Sequence, residues 1–154
     1  MPPPAPAIRR ARADDVHAIV ALLADDVLGS ARESLAPEAL ADYQRAFAEI
    51  DSSGSNALLV AELDGVVVGT LQLTIIPGMS RRGARRVEIE AVRVSAALRS
   101  RGIGEALVRH AIAIAREHRC VSIQLISHVS RADAHRFYAR LGFAASHVGM
   151  KMML

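Results

Sequence analysis

Apolar residues recur along this chain with two different periods, and the change of period predicts helices and strands. Helical spacing predicts a helix capped by Asp14 that contains Val16, Ile19, Val20, Leu22 and Leu23, and three more helices over Pro37 to Ile50, Gly102 to His118 and Ser130 to Leu141. Strand patterns cover Ile8 to Ala11, Ala57 to Leu63, Val66 to Ile75, Val87 to Val94 and Val121 to Ile126, and Phe143 to Leu154 is expected to add one or two final strands.

The order of these elements predicts an α/β fold. Asp64-Gly65 lies between two strand patterns and is typical of a tight hairpin turn. Hairpins come first and βαβ crossings follow, which predicts a mixed six- to seven-stranded sheet flanked by about four helices. The sheet is expected to be antiparallel early and parallel where residues 87–94 cross to residues 121–126. Residues 1–6 are predicted to be a loose tail, and residues 7–154 one domain.

Composition narrows the class of protein. The chain is 51% apolar and 23% charged, which is typical of a soluble globular protein. No run approaches the roughly 18 apolar residues of a membrane span, so no membrane association is expected. Its single cysteine, Cys120, excludes an internal disulfide, and together with a proline-rich start that does not resemble a secretory signal it predicts a cytoplasmic location.

Net charge alone suggests a nucleic-acid partner, but the aromatic content argues against one. The formal charge is +3 and the sequence pI is about 9.7. Nucleic-acid binders usually add aromatic stacking platforms to such charge, whereas this chain is 3% aromatic and has no tryptophan. The sequence therefore predicts no nucleic-acid binding.

The segment Arg99-Ser-Arg-Gly-Ile-Gly104 joins a predicted strand to a predicted helix. Glycines at such a junction allow close approach of a ligand, and the free N–H groups of the first helical turn favour an anion. A P-loop is excluded because no lysine is near, and a Rossmann fingerprint fails because Leu107 occupies its third glycine position. Two interpretations remain at this point: a phosphate-binding loop, or an ordinary helix start.

A second candidate segment is the helix predicted from Ser130. Ser130 and Asp133 are expected to form a capping box. Ala134, Phe137 and Leu141 share the core face, and Tyr138 turns off it. Taken alone, this pattern is typical of a capped amphipathic helix.

Together the two segments resemble the GNAT superfamily of N-acetyltransferases. The first has the family pattern [RQ]-x-x-G-x-[GA], here Arg99, Gly102 and Gly104 after the strand end Val92-Arg-Val94. The second has the pattern N-x-x-A-x-x-[FLY]-Y-x-x-x-G-F, whose matching residues here are Ala134, Phe137, Tyr138, Gly142 and Phe143. The resemblance extends over most of residues 7–154. It departs at Arg131, which stands where the family often has asparagine, so that the role of this residue stays open.

The resemblance implies that acetyl-CoA is the acetyl donor and that the loop 99–104 holds its pyrophosphate. The implied cofactor-binding residues are Val92, Arg93, Val94, Arg99, Ser100, Arg101, Gly102, Ile103, Gly104, Glu105, Arg131 and Tyr138. In this chemistry Tyr138 would protonate the departing thiolate. Backbone N–H groups near Val92–Val94, where the resemblance implies that the strand bulges and parts from its neighbour, would hold the oxyanion.

The base that deprotonates the amine is left open among three alternatives. Glu90 acting through a water is the first, Glu88 is the second, and no dedicated base is the third. Alternation places both carboxylates on one face of their strand, together with Val92 and Val94. His128, at the end of the strand 121–126, is a further candidate proton acceptor. No spacing of histidine, cysteine and acidic residues suggests a metal site.

The predicted function is transfer of acetyl from acetyl-CoA to a primary amine of a small molecule or peptide, and the alternative is an acyl-CoA-binding sensor without turnover. The acceptor is not identified by the sequence. Asp25, Asp26 and Glu33 would suit a cationic amine, whereas the arginines Arg81, Arg82, Arg85 and Arg86 would suit a substrate with a carboxylate or phosphonate. A homodimer is compatible with the sequence.

Overall fold

The computed structural model describes residues 4–154, so residues 1–3 of the predicted tail lie outside the described residues. The strands are β1 (Ala7–Arg10), β2 (Asn56–Leu63), β3 (Val66–Pro77), β4 (Arg85–Val94) and β5 (Ser122–Leu125). The helices are α1 (Val16–Ala24), α2 (Pro37–Ser52), the single turn α3 (Ser80–Gly83), α4 (Ile103–Glu117) and α5 (Ala132–Arg140). The α/β class and the four long helices predicted from periodicity are confirmed.

The five strands form one mixed sheet in the order β1-β2-β3-β4-β5. The first three pairings are antiparallel and the last, β4 with β5, is parallel, as predicted. The hairpin between β2 and β3 turns at Asp64 and Gly65, whose φ angles of 49° and 79° are those of a type I′ turn. Because β4 and β5 are parallel neighbours, their carboxyl ends lie side by side at the same end of the sheet.

Two helical layers bury the two faces of the sheet. On one face, α4 packs Leu107, Val108 and Ala111 against buried strand residues such as Leu71 and Ile89, and the half-buried Phe137, Tyr138 and Leu141 of α5 join this cluster. On the other face, Ile19 of α1 and Phe47 of α2 pack against Leu58 and Val60 of β2. Within residues 4–154, no helix combines the length and the apolar character needed to cross a membrane.

The prediction of six to seven strands is wrong in the described part of the chain, because residues 143–154 form no strand. The segment passes beside the sheet where Gly149 lies against Ile126, one residue beyond the end of β5. With only four residues, β5 offers a short edge for pairing. The apolar residues that would have faced a core, among them Val148, Met150 and Met152, are exposed instead.

Two predicted helix caps are also wrong. Asp14 lies in a 3₁₀ turn, and the carboxylate that accepts a backbone N–H here is that of Asp15, 2.7 Å from the nitrogen of Arg12. Asp15 is buried, and its carboxylate also forms an ion pair with the Arg9 guanidinium at 2.7 Å. At α5 the chain turns into the helix only after Arg131, one residue later than expected, so that Ser130 cannot act as the cap.

Candidate active site

The candidate site lies in a gap between β4 and β5. Their parallel pairing covers Arg86 to Ile89 and Ser122 to Leu125 and then stops, while β4 continues to Val94. The start of α5, the end of α1 and the start of α4 all meet this gap. It therefore brings together residues that are more than 100 positions apart in sequence, as in the 105-residue separation of Asp26 and Arg131.

A β-bulge in β4 decides which side chains face the gap. Ala91 has a left-handed φ of 51°, and the pairing with β3 shifts by one residue between Glu90 and Arg93. The extra residue inverts the alternation beyond it. As a result Arg93, opposite Thr70, lies on the same face as Glu90 and Glu88, opposite Gln72 and Thr74.

The prediction that Val92 and Val94 share the face of the two glutamates is therefore wrong. Both valines pack into the core cluster on the α4 side of the sheet. A strict two-residue alternation from Glu88 to Val94 would require an unbroken ladder, and the bulge at Ala91 breaks it.

The loop before α4 is shaped by two left-handed residues. Ser100 has a φ of 62° and Gly102, the N-cap of α4, has a φ of 80°. Among residues 4–154, no side chain caps the N-terminus of this helix, and a Cβ placed on Gly102 would meet no atom within 4 Å. The first N–H groups of a 15-residue helix are thus open to an anion, and the helix dipole favours negative charge there.

The two arginines of this loop differ in their surroundings. Arg99 donates to the backbone oxygens of Val94 at 3.4 Å and of Asp25 at 3.1 Å, so that its guanidinium ties the loop to the end of α1. Arg101, in the middle of the loop 99–104, is exposed to solvent. In α4, Glu105 pairs with Arg109 at 2.7 Å, whereas Ile103 is buried in the core.

Gly104 connects the start of α4 to α5. A Cβ at this position would lie 3.4 Å from the ring of Phe137 and 3.6 Å from Val94. Because these are ordinary van der Waals distances, the glycine is required neither by its conformation nor by crowding. The end of the loop 99–104 therefore lies close to the helix that carries Tyr138, with room for about one methyl group between them.

We expect Gly104→Ala to stabilise the protein by about 0.5–1 kcal/mol, because alanine loses less conformational entropy than glycine in a helix and its methyl group fits here. Urea unfolding measures the change. Acetyl-CoA should still raise the melting temperature of the variant, because the backbone N–H groups are kept. A destabilised variant would contradict the fit of the methyl group.

Tyr138 is held in a partly buried aromatic cluster. Its ring meets Phe137 at 5.0 Å and Phe143 at 5.6 Å between centroids, both edge to face. Burial raises the pKa of Tyr138, and the neighbouring guanidiniums of Arg93 and Arg131 act in the opposite direction. The phenol consequently keeps its proton at neutral pH and has that proton available to donate.

Asp26, Arg93 and Arg131 form a charged cluster at the same gap. Arg131 donates two hydrogen bonds to the Asp26 carboxylate, at 2.8 and 2.6 Å, and Arg93 approaches it at 3.5 Å. These contacts hold the pKa of Asp26 at about 2, chiefly through the Arg131 hydrogen bonds, so the group is ionised at neutral pH.

Arg93 is the least compensated member of the cluster. Its side chain is 17% exposed, and its Nε is buried without a hydrogen-bond partner among residues 4–154. Burial lowers the pKa of Arg93, and the nearby Arg131 and Arg32 add to that effect while Asp26 opposes it. The cluster therefore contains a buried cation whose charge is only partly balanced.

The two candidate bases differ in their contacts. Glu88 accepts a hydrogen bond of 2.9 Å from Gln124 of β5, which holds it across the last pairing of the two strands. Glu90 lies beyond that pairing, is exposed, and has no hydrogen-bond partner within the described part of the chain. Neither carboxylate forms an ion pair in residues 4–154. Glu90 is thus the carboxylate that is free to contact a water or an amine.

The remaining candidates lie outside the cluster. His128 is exposed and its Nδ1 lies 2.7 Å from the Ser130 hydroxyl, a contact within the loop before α5. Arg81, Arg82 and Arg85 are exposed around the turn α3. No group of three or more metal-ligating side chains occurs between residues 4 and 154.

Comparison with known proteins identifies this arrangement. The model of the acetyltransferase (GNAT) family matches residues 16–143, which include β4, the loop 99–104 and Tyr138. The chain belongs to the GNAT acetyltransferase family. GNAT membership was predicted from the two motifs, and it is confirmed.

Solved structures agree with this assignment. A protein from Bacillus halodurans C-125 described as a transcriptional regulator is 44% identical, with a TM-score of 0.94, over 97% of this chain and 99% of that one. A putative acetyltransferase from Agrobacterium tumefaciens str. C58 is 27% identical, with a TM-score of 0.86, over 96% and 99%. Glucosamine-6-phosphate N-acetyltransferase from Arabidopsis thaliana, 20% identical with a TM-score of 0.80 over 97% and 99%, shares the fold.

GNAT enzymes generally use acetyl-CoA as the acyl donor, and the residues of this chain fit such a group. The open helix N-terminus at Gly102 suits a pyrophosphate, and the gap between β4 and β5 leads from it to Tyr138.

The sequence did not indicate the charged cluster. Arg93 and Arg131 were expected at the cofactor and Asp26 at a cationic substrate, whereas the three side chains contact one another. The family resemblance implied a bulge near Val92–Val94, and the structure has it at Ala91, but the residues themselves carry no signature that would have placed Arg93 on this face.

Proposed function

We propose that this GNAT protein transfers an acetyl group from acetyl-CoA to a primary amine of a small molecule or peptide by direct transfer. One observation carries the proposal: the uncapped N-terminus of α4 lies close to the phenol-bearing helix α5, since a Cβ on Gly104 would be 3.4 Å from the ring of Phe137, beside the gap between β4 and β5. This closeness supports a pyrophosphate site and a proton donor that act on one bound thioester.

Each residue of the site has a proposed part in the reaction. When bound, acetyl-CoA supplies the activated thioester. Backbone N–H groups of the first turn of α4, together with loop residues Ser100 and Gly102, bind phosphate oxygens. Backbone N–H groups of Val92–Val94, where β4 has lost its neighbour, hold the oxygen of the acetyl group as it gains charge. Tyr138 gives its proton to the leaving thiolate.

Glu90 is proposed to deprotonate the amine through a water. We expect Glu90→Gln to lower kcat/KM at neutral pH by about 10²-fold, the lower end of general base catalysis. Part of the loss should be recovered at high pH, where the amine is neutral without help. A pH–rate profile of the variant against the unaltered protein measures both effects.

Glu88→Gln is the matched control, since it makes the same change two residues away on the same face. Because Glu88 is held by Gln124, its replacement should leave the pH profile nearly unchanged. The reverse result, a changed profile only in Glu88→Gln, would show that Glu88 is the base. Unchanged pH–rate profiles in both variants would favour the third alternative, in which the amine binds in its neutral form and no dedicated base is needed.

A second candidate function is an acyl-CoA sensor without turnover, which is favoured by the description of the 44% identical Bacillus halodurans protein as a transcriptional regulator. An assay of thiol release from acetyl-CoA across a panel of amines separates the two. Release with any amine supports the transferase. Acetyl-CoA binding without release from any amine supports the sensor.

A further inference from the structure

The acidic residues that the sequence suggested for a cationic substrate, Asp25, Asp26 and Glu33, all make contacts within the protein. Asp25 accepts a hydrogen bond of 3.1 Å from the backbone nitrogen of Ala96. Glu33 accepts one of 2.7 Å from the Tyr43 hydroxyl. Asp26 is bound by Arg131, by Arg93 and by the backbone nitrogen of Gly29. None of the three therefore offers a free carboxylate to an ammonium group.

The basic residues at the same gap are, in contrast, only partly paired. Arg93 and Arg131 share the single carboxylate of Asp26, and Arg32, whose charge acts on Arg93, is 3.8 Å from its own partner Glu33. These three guanidiniums thus share the carboxylates of Asp26 and Glu33 as ion-pair partners. Arg93 donates to the backbone oxygen of Val92 at 2.8 Å and only approaches Asp26 at 3.5 Å, so its terminal nitrogens retain N–H donors that an anionic oxygen would satisfy.

The spacing of Glu90 and Arg93 limits the size of a ligand that reaches both. Their partners on β3, Gln72 and Thr70, are two residues apart, so that the two side chains leave the sheet about 7 Å from each other on one face. A carboxylate and a guanidinium on side chains that leave the sheet this close together suit a short molecule with an amine at one end and an anion at the other.

Building on the proposed function, we propose that the acceptor is a small zwitterionic amine whose carboxylate or phosphate is bound by Arg93 and Arg131 while its amine faces Glu90. Carboxylate and phosphate present the same anionic oxygens to a guanidinium, and Arg131 can bind either while it stays paired with Asp26, because two of its five N–H donors are used there. Asp26 then limits the anion affinity of the cluster, since it supplies the only countercharge to both arginines in residues 4–154.

A set of matched amines tests the proposal. β-Alanine, its amide and 1,3-diaminopropane have the same amine and nearly the same length, and they carry an anionic, a neutral and a cationic second group. O-phosphoethanolamine and ethanolamine form the phosphate arm. We expect kcat/KM, measured by thiol release, to favour the anionic member of at least one arm by roughly 10- to 100-fold, as for charge-assisted hydrogen bonds.

Two substitutions should change that preference in opposite directions. Arg131→Gln removes an anion donor and should lower the ratio of anionic to neutral kcat/KM by about tenfold. Asp26→Asn keeps the shape, and its one remaining side-chain oxygen can still accept from Gly29 and from one N–H of Arg131, but the countercharge and one of the two Arg131 hydrogen bonds are lost. The ratio should therefore rise by about threefold or more. Damage to the fold or to acetyl-CoA binding affects both substrates alike, so it cancels in the ratio.

Arg45→Gln is the control, because it breaks an exposed guanidinium–carboxylate pair on α2, with Asp42, away from the gap. Its ratio should equal that of the unaltered protein. A ratio that falls in both Arg131→Gln and Asp26→Asn would mean that the cluster acts only as a structural clamp, and would overturn the proposal.

Calorimetric titration of the same amines into protein saturated with CoA measures binding without turnover. Preferential binding of an anionic amine supports the proposed acceptor class, whether or not thiol is released. If such an amine binds but no thiol is released, only the proposed transferase function has failed. Thiol release that is as efficient with the amide, ethanolamine or the diamine keeps the transferase and overturns the acceptor class. The absence of any binding preference overturns it as well.

Discussion

Replacing Tyr138 by phenylalanine is expected to lower turnover by roughly 10²–10⁴-fold while acetyl-CoA binding changes little, because only the proton is removed. The ring keeps its edge-to-face contacts with Phe137 and Phe143, so most of the stability should remain. Steady-state kinetics with a thiol-release assay and a thermal shift with acetyl-CoA measure the two quantities separately.

The leaving group supplies an internal control for Tyr138. An acyl donor whose thiol has a lower pKa needs less help from an acid, so the penalty of the phenylalanine variant should shrink with such a donor. Near-normal turnover of Tyr138→Phe would remove this residue from the mechanism. Loss of acetyl-CoA binding would instead make the hydroxyl a ligand of the donor.

Gly102→Val is expected to abolish the stabilisation by acetyl-CoA, which for a ligand at a hundredfold excess over its Kd is about 2.7 kcal/mol. The valine would project into the open space before the N-terminus of α4, where an added Cβ would meet no atom of the described residues within 4 Å. Since φ is 80° here, the substitution also costs about 1–3 kcal/mol of stability through backbone strain. Thermal melting with and without acetyl-CoA measures both effects.

Gly65→Val is the matched control for the strain. Gly65 has a φ of 79° and equally open surroundings, but it lies in the turn between β2 and β3. This variant should lose a similar amount of stability and keep the full shift with acetyl-CoA. A normal shift in Gly102→Val would contradict the assignment of the loop 99–104 to phosphate binding.

The predictions from sequence were accurate where a property depends on nearby residues. Helical periodicity, the Asp64-Gly65 hairpin and the parallel crossing from β4 to β5 are consequences of local pattern and of chain connectivity, and the structure confirms them. The segment 143–154 was mispredicted because strand formation depends on residues that are distant in the sequence. A strand exists only where a partner edge accepts its hydrogen bonds, and pattern alone does not supply that edge.

For the candidate site too, some features follow from the sequence and others only from the tertiary structure. By themselves the two motifs determined the family, because the glycines before α4 and the tyrosine on α5 have roles that depend on sequence spacing within one element. Only the tertiary structure decided which charges meet. One extra residue at Ala91 turned Arg93 toward the gap, and the packing of α1 against β4 brought Asp26 to Arg93 and Arg131. Ion pairing depends on positions in space to within a few ångströms, and a separation of 105 residues along the chain carries no information at that scale.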